Sequence, residues 1–75
     1  MAKLPVLSAR EVLRALERAG FGVVGRKGSH IRLHGERDGQ ARVVIVPDHA
    51  EVAIGTLSSI LRQAGIERED FLRLL

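Results

Sequence analysis

Cysteine, tyrosine and tryptophan are all absent from this chain of 75 residues. Without cysteine, neither a disulfide nor a thiolate metal site can stabilise the fold. The core must therefore come from the aliphatic residues and from two phenylalanines, Phe21 and Phe71. Without tyrosine or tryptophan, we do not expect a platform that stacks nucleic-acid bases on aromatic rings.

Long apolar runs are also missing, and no stretch approaches the roughly 20 residues that a membrane-spanning helix needs. Lys3, Pro5 and Ser8 interrupt the segment in which a signal peptide would have its apolar region. We therefore expect a soluble, cytoplasmic protein. The length is near the lower limit for a domain that folds alone, and there is no linker or internal repeat, so residues 1–75 are predicted to form a single domain.

The formal net charge of +3 is unevenly distributed along the chain. Residues 1–42 contain nine Lys and Arg against four Asp and Glu, a net +5, whereas residues 43–75 contain three against five, a net −2. A basic half indicates a polyanionic partner, of which nucleic acid is the commonest. A solvated basic face without a partner is the alternative interpretation.

The first predicted element is a helix that begins after Ser8. Ser8 and Glu11 have the spacing of a capping box, and Leu7 and Val12 have that of a hydrophobic staple. Gly20 is placed to end the helix in a left-handed conformation. The residues at helical spacing predict one apolar stripe, formed by Ala9, Val12, Leu13, Leu16 and Ala19.

Three strands are predicted next, over residues 21–26, 30–34 and 41–46. Gly28 offers the first turn, and residues 35–40 are predicted to be a polar loop with an Asp38-Gly39 turn. Pro47 ends the third strand. In the second strand Ile31 and Leu33 are expected to face the core, and the opposite face is expected to present His30, Arg32 and His34.

The last third of the chain predicts a loop over residues 48–55, a helix over 56–64 and a short helix within 67–75. Leu57, Ile60, Leu61 and Ala64 form the stripe of the longer helix, which Gly65 is expected to end. The fold class is therefore α+β, with the order α-β-β-β-α and a short C-terminal helix. Two helices are expected to cover one face of a three-stranded antiparallel sheet, which leaves the other face free.

The segment Arg26-Lys27-Gly28-Ser29-His30 concentrates groups that can bind a phosphate and move a proton beside it. Lys27 and Arg26 supply positive charge, Ser29 and the Gly28 N–H are hydrogen-bond donors, and a histidine side chain exchanges protons near neutral pH. By position alone, an exposed polar residue at the start of a strand is the commoner interpretation of His30.

The remaining polar residues of this region leave alternatives open. Arg32 and His34 share the predicted face of His30, so either can bind phosphate, serve as a second proton carrier or simply line a solvated face. His49 is a candidate for stabilising its loop or contacting a partner. A metal site is not expected, because His30 and His34 stand roughly 13 Å apart along a strand and metal–ligand distances are near 2 Å.

Several segments, in this order, resemble the HicA (YcfA-like) toxin family of bacterial toxin–antitoxin systems. They are Gly20-Phe21, the segment from Arg26 to His30, Val46-Pro47-Asp48-His49, the run from Gly55 to Ile66 (GTLSSILRQAGI), and Glu69-Asp70-Phe71-Leu72. The resemblance extends from about Ser8 to Leu75. One departure is Val52-Ala53, which stands where many relatives have lysine or another polar residue before the glycine.

The resemblance implies a fold like that of double-stranded-RNA-binding domains and a translation-independent endoribonuclease that cleaves mRNA. We expect no metal or other cofactor, because the residues offer no convergent set of ligands. The resemblance also implies inhibition by a HicB-type antitoxin and places the catalytic histidine at His30. Residues Arg26, Lys27, Gly28, Ser29 and Arg32 are then the expected contacts for RNA phosphate. The alternatives are an RNA-binding module that does no chemistry and an adaptor whose open sheet face or edge docks a partner protein.

Overall fold

The computed structural model describes residues 3–75 and confirms the predicted α+β architecture. Three strands form one antiparallel sheet in the order β1-β2-β3. The elements, in chain order, are α1 (Ala9–Arg18), β1 (Gly22–Lys27), β2 (His30–Arg37), β3 (Gln40–Pro47), α2 (Ile54–Ala64) and α3 (Arg68–Arg73).

The predicted capping box begins α1. The Ser8 N–H donates to Glu11 Oε1 at 2.9 Å, and the Glu11 N–H donates to Ser8 Oγ at 3.2 Å. Two orphan backbone donors are satisfied in this way. The helix ends where it was expected to, with Gly20 at a φ of 101° after the cap residue Ala19. Its buried residues are Ala9, Val12, Ala15 and Leu16, whereas Leu13 and Ala19 of the predicted stripe are only partly buried.

Two tight hairpin turns connect the strands. Gly28-Ser29 joins β1 to β2, and Gly28 has the positive φ, 58°, that the first position of a type II′ turn requires. Asp38 and Gly39 have φ values of 54° and 77°, as a type I′ turn requires. The prediction of a loop over residues 35–40 was therefore wrong at both ends, because strand pairing continues to Arg37 and resumes at Gln40.

Strand alternation divides the sheet into a covered and an open face. Ile31 and Leu33 are buried, as predicted, whereas His30, Arg32 and His34 are exposed. The helices pack mainly against β3, so that all six residues of β1 remain exposed. The first strand begins at Gly22, one residue later than predicted, and Phe21 lies buried just before it.

The segment between β3 and α2 is bound to the residues that precede α1. The Val52 N–H donates to the Leu7 carbonyl at 2.7 Å, and the Ala9 N–H donates to the His49 carbonyl at 3.0 Å. Of the two residues at which the sequence departs from the resemblance, Val52 is buried in the core and Ala53 is exposed. The second helix begins at Ile54, two residues earlier than the predicted Thr56.

Gly65 ends α2 in the left-handed region with a φ of 70°, as predicted. The predicted stripe of α2 is buried, and Phe71 of α3 completes the core beneath it. In the part of the chain that the structure describes, no helix is long and apolar enough to cross a membrane. The core consists of Leu4, Leu7, Ala9, Val12, Ala15, Leu16, Phe21, Ile31, Leu33, Val44, Val46, Val52, Leu57, Ile60, Leu61, Ala64, Ile66 and Phe71.

Candidate active site

The exposed face of the central strand is the floor of a shallow depression. Its polar residues come from β2, and the strand register decides which side chains stand beside them. His30 lies between Lys27 of β1 and Pro47 of β3. Arg32 lies between Gly25 and Ile45, and His34 lies between Gly22 and Val43. Cross-strand partners point to the same side of a sheet. The open face therefore presents histidine and arginine side chains along β2. Along β1 it presents one lysine and two glycines, and along β3 it presents apolar residues.

Lys27 and His30 are directly opposite each other, on either side of the Gly28-Ser29 turn. Cβ atoms of such partners are about 5 Å apart, which places the ammonium and the imidazole within reach of one phosphate. Both residues are exposed. Within residues 3–75 neither side chain makes a hydrogen bond or an ion pair with another residue. An ammonium and an imidazole thus stand together, and neither has a side-chain partner within residues 3–75.

Arg26 is engaged differently from Lys27. It is opposite Ile31, whose side chain is buried, so alternation directs Arg26 to the other side of the strand. Its Nε donates to the Gly28 carbonyl at 3.2 Å, and its guanidinium forms an ion pair with the Asp48 carboxylate. Asp48 in turn donates its N–H to the Ser29 carbonyl at 2.6 Å. Arg26 and Asp48 therefore fasten the turn to the end of β3.

Glycines leave space over β1. A Cβ atom placed on Gly22 or Gly25 would meet no other atom within 4 Å, so contacts inside the protein do not demand glycine there. A bulge between Val23 and Gly25 shifts the register at this point. The result is an open depression of about 720 Å³, called the trough here. It is lined by Val24, Gly25, Arg26, Lys27, His30, Arg32, His34 and Ile45.

Arg32 and His34 extend the polar floor of the trough away from the turn. Both are exposed, and in the described chain neither side chain has a hydrogen-bond or ion-pair partner. His30, Arg32 and His34 alternate along β2, so the structure brings together the face that the sequence predicted. The imidazole of His49 likewise has no partner among residues 3–75, and only the backbone of His49 supports its loop.

Two polar residues of the site region were missed by sequence reasoning. Asp48 is the partner of Arg26, 22 residues away, and only the register of three strands brings them together. Gln63 of α2 accepts the Ile45 N–H at 2.9 Å and so satisfies a donor on the free edge of β3. The place of Asp48 directly after Pro47 indicates that it lies near the start of β2, but the sequence does not specify the register that pairs it with Arg26.

Groups of three or more His, Asp or Glu side chains suited to a metal ion are not found within residues 3–75. His30 and His34 lie on one face four residues apart, and the Asp48 carboxylate forms an ion pair with Arg26. The polar side chains that line the trough are two imidazoles, one ammonium and two guanidiniums.

Comparison with known proteins identifies the family. A search of curated proteins finds no match. A family model for the HicA toxin of bacterial toxin–antitoxin systems matches residues 9–66. That range begins with α1 and ends just beyond α2, so it includes the whole sheet and the trough. It also spans well over half of the 75 residues. The chain therefore belongs to the HicA toxin family of bacterial toxin–antitoxin systems.

Proposed function

We propose that this toxin is an endoribonuclease that cleaves mRNA at the trough, with His30 as an acid or base. The observation that supports this most is the Lys27–His30 pair, which combines a positive charge and a titratable ring on an open face. Neither group is neutralised by another residue of the described chain. An unpaired cation beside an imidazole matches what phosphodiester cleavage requires of its catalyst.

The proposed reaction begins when a base removes the proton from the ribose 2′-hydroxyl. The 2′-oxygen forms a bond to phosphorus, the bond to the 5′-oxygen breaks, and an acid protonates that leaving oxygen. The products are a 2′,3′-cyclic phosphate and a 5′-hydroxyl end. His30 performs one of the two proton transfers, and Lys27 stabilises the negative charge that develops on the phosphate oxygens.

The neighbouring groups take supporting roles in this proposal. The Gly28 N–H and the Ser29 hydroxyl donate hydrogen bonds to the same phosphate at the turn. Arg32 binds an adjacent phosphate along the trough, because its guanidinium has no carboxylate partner within residues 3–75. Arg26 was predicted to contact phosphate as well. Since Asp48 and the Gly28 carbonyl already engage it, we propose that Arg26 holds the turn in position.

A HicB-type antitoxin is the proposed inhibitor, since proteins of this family act within toxin–antitoxin systems. The trough is open and basic, so an antitoxin that presents carboxylates there would occupy the phosphate positions. Inhibition would then follow from competition with RNA for Lys27 and Arg32.

The experiment compares an RNA oligonucleotide with the same sequence carrying 2′-deoxyribose, in the presence of a chelator. We expect the protein to cut the RNA, to leave 5′-hydroxyl ends and to spare the deoxy substrate. Equal cleavage of the deoxy substrate, or 5′-phosphate ends, would contradict attack by the 2′-oxygen. Loss of all cleavage with the chelator would contradict a mechanism that uses side chains alone.

RNA binding without cleavage is the second candidate function. It is favoured by the absence of a hydrogen bond to either ring nitrogen of His30 within residues 3–75, since a partner normally fixes the tautomer of a catalytic histidine. On this alternative, the wild-type protein binds RNA with a steep dependence on salt concentration and yields no products.

A further inference from the structure

Three arginines outside the trough converge on a second depression. Arg42 at the far end of β3, Arg62 in the last turn of α2 and Arg68 at the start of α3 line an open volume of about 590 Å³. Among residues 3–75, none of the three has a carboxylate within ion-pair distance. By contrast, Arg26 is paired with Asp48, and both Arg37 and Arg73 are paired with Asp70.

Arg42 is held in an orientation that leaves one donor unsatisfied. It lies two residues before the buried Val44, and residues at this spacing in a strand share a face. The Arg42 side chain is therefore on the covered side of the sheet. Its guanidinium lies against the backbone of Gly65, where a Cβ atom would be 2.6 Å from Arg42 Cζ. Its Nη2 donates to Gln40 Oε1 at 3.2 Å, but its Nε is buried with no hydrogen-bond partner. Buried donors normally have an acceptor, so this Nε is an exception within the described chain.

The other two arginines have only neutral partners. Arg62 Nη2 donates to Ser59 Oγ at 3.0 Å, and Arg68 Nη2 is 3.4 Å from Ser58 Oγ. A hydroxyl orients a guanidinium without neutralising its charge. Glu67 and Glu69 also line the depression, yet neither comes within ion-pair distance of these arginines. The depression is thus lined by three arginines and two glutamates, a formal net charge of +1 (3 − 2), and none of the three guanidiniums is in an ion pair.

We propose that Arg42, Arg62 and Arg68 form a second phosphate-binding site for the RNA strand, separate from the trough; this rests on the proposed function. A planar guanidinium group can bind two oxygens of one phosphate at once, which suits a site whose cationic side chains are all arginines. Arg42 precedes Pro47 by five residues, or about 17 Å along β3. Because Gln63 bonds the free edge of β3, the end of α2 lies beside this edge. An RNA strand that passes from the trough on the open face around the β3 edge to the covered side would meet the arginines there.

The test measures binding of a 2′-O-methyl RNA oligonucleotide, which cannot react through its 2′-oxygen, by fluorescence anisotropy over a range of KCl concentrations. The test variant is Arg62→Gln/Arg68→Gln. The control is Arg10→Gln/Arg14→Gln, which removes the same charge from exposed residues of α1. We expect the test variant to bind about 10-fold more weakly near 0.1 M salt, with a log–log salt slope about one unit shallower. The control should change both quantities much less.

Equal weakening by the two variants would overturn the proposal, since it would reflect total charge alone. Unchanged RNA binding by the test variant would also overturn it, and so would a loss confined to binding of a HicB-type antitoxin. Cleavage of a dinucleotide, which fits within the trough, should be the same in the wild type and the test variant. If the wild type cuts no RNA but the selective loss of binding remains, the nuclease proposal fails and the second site stands.

Discussion

Lys27 faces His30 directly across the β1–β2 pair, while Arg26, its neighbour in sequence, is held by Asp48. Adjacent cations therefore have different tasks, because alternation along a strand places them on opposite sides of it. The Arg26–Asp48 pair is largely exposed, with side-chain exposures of 55% and 40%. Its contribution to global stability should accordingly be small, about 0–1 kcal/mol. Its effect is to fix the local geometry of the turn.

Replacement of Lys27 by Met should lower the rate of RNA cleavage about 10- to 100-fold, since the variant loses a charge that stabilises the transition state. The fold should be unaffected, because Lys27 is exposed and its side chain makes no hydrogen bond or ion pair within residues 3–75, while the backbone pairing with His30 is retained. Single-turnover cleavage and thermal unfolding measure the two effects. Lys3→Met is the matched control, as Lys3 is the chain's other lysine. An equal fall in the rate for both variants would argue against a specific role for Lys27.

The capping box stabilises the first helix, and its Glu11 carboxylate makes the stability of the protein depend on pH. The backbone hydrogen bond from Ser8, with smaller contributions from the Ser8 hydroxyl and the Arg14 charge, lowers the pKa of the Glu11 carboxyl below its ordinary value of 4.5. Since the folded state favours the ionised form, this carboxylate stabilises the protein above the ordinary pKa. That contribution is lost as the pH falls through the lowered pKa of the folded state.

Glu11→Gln should therefore melt below the wild type at neutral pH, and the two melting temperatures should converge in acid. Melting curves recorded from pH 7 down to about pH 2 test this. A gap between the two proteins that persists unchanged at the lowest pH would mean that the ionised carboxylate is not what stabilises the cap.

The second strand has a glycine where an aromatic ring needs space. A Cβ atom on Gly35 would lie 2.5 Å from Phe21 Cδ2, and Phe21 is a buried core residue. Gly35→Ala should destabilise the fold by about 1–3 kcal/mol through overpacking. Gly22→Ala is the control, because a Cβ atom there meets nothing within 4 Å. Urea denaturation measures both, and equal stability of the two variants would contradict this packing role.

Gly25 on the neighbouring strand is expected to serve the trough. A side chain there enters open space, and its φ lies outside the left-handed region, so Gly25→Val should fold normally. It should nevertheless raise the KM for RNA by about 10-fold, because the valine side chain would occupy the space beside Arg32 in which we expect the RNA strand to lie. Steady-state cleavage kinetics provide the measurement. An unchanged KM would show that RNA does not pass over β1.

At the scale of the whole molecule, helices on one face of the sheet leave the other face to solvent. Both main helices pack on β3, so β1 and its turn project beyond the core. Apolar alternation is enough to predict this division, since Ile31 and Leu33 must be buried and their neighbours must then face outward. The helix ends at Ser8, Gly20 and Gly65 were predicted from local sequence for a different reason, because a serine can cap backbone N–H groups and glycine adopts a positive φ without strain.

Features that depend on long-range register could not be predicted in the same way. The Arg26–Asp48 pair joins residues from different strands, and the contact between Arg42 and Gly65 joins the sheet to the end of α2. The polar composition of residues 35–40 also concealed a regular hairpin, because a strand that extends beyond the core needs no apolar side chains. Sequence patterns indicate which residues are buried, but they do not specify which residues of different elements come into contact.

The role of His30 is tested most directly by the RNA cleavage rate of His30→Ala, measured at equal concentrations of folded protein. We expect a fall of about 10²- to 10⁴-fold, as for loss of a proton-transfer group. RNA affinity and melting temperature should stay near the wild-type values. His34→Ala, on the same face of the same strand, should keep most of the activity. Cleavage by His30→Ala at the wild-type rate would contradict the account.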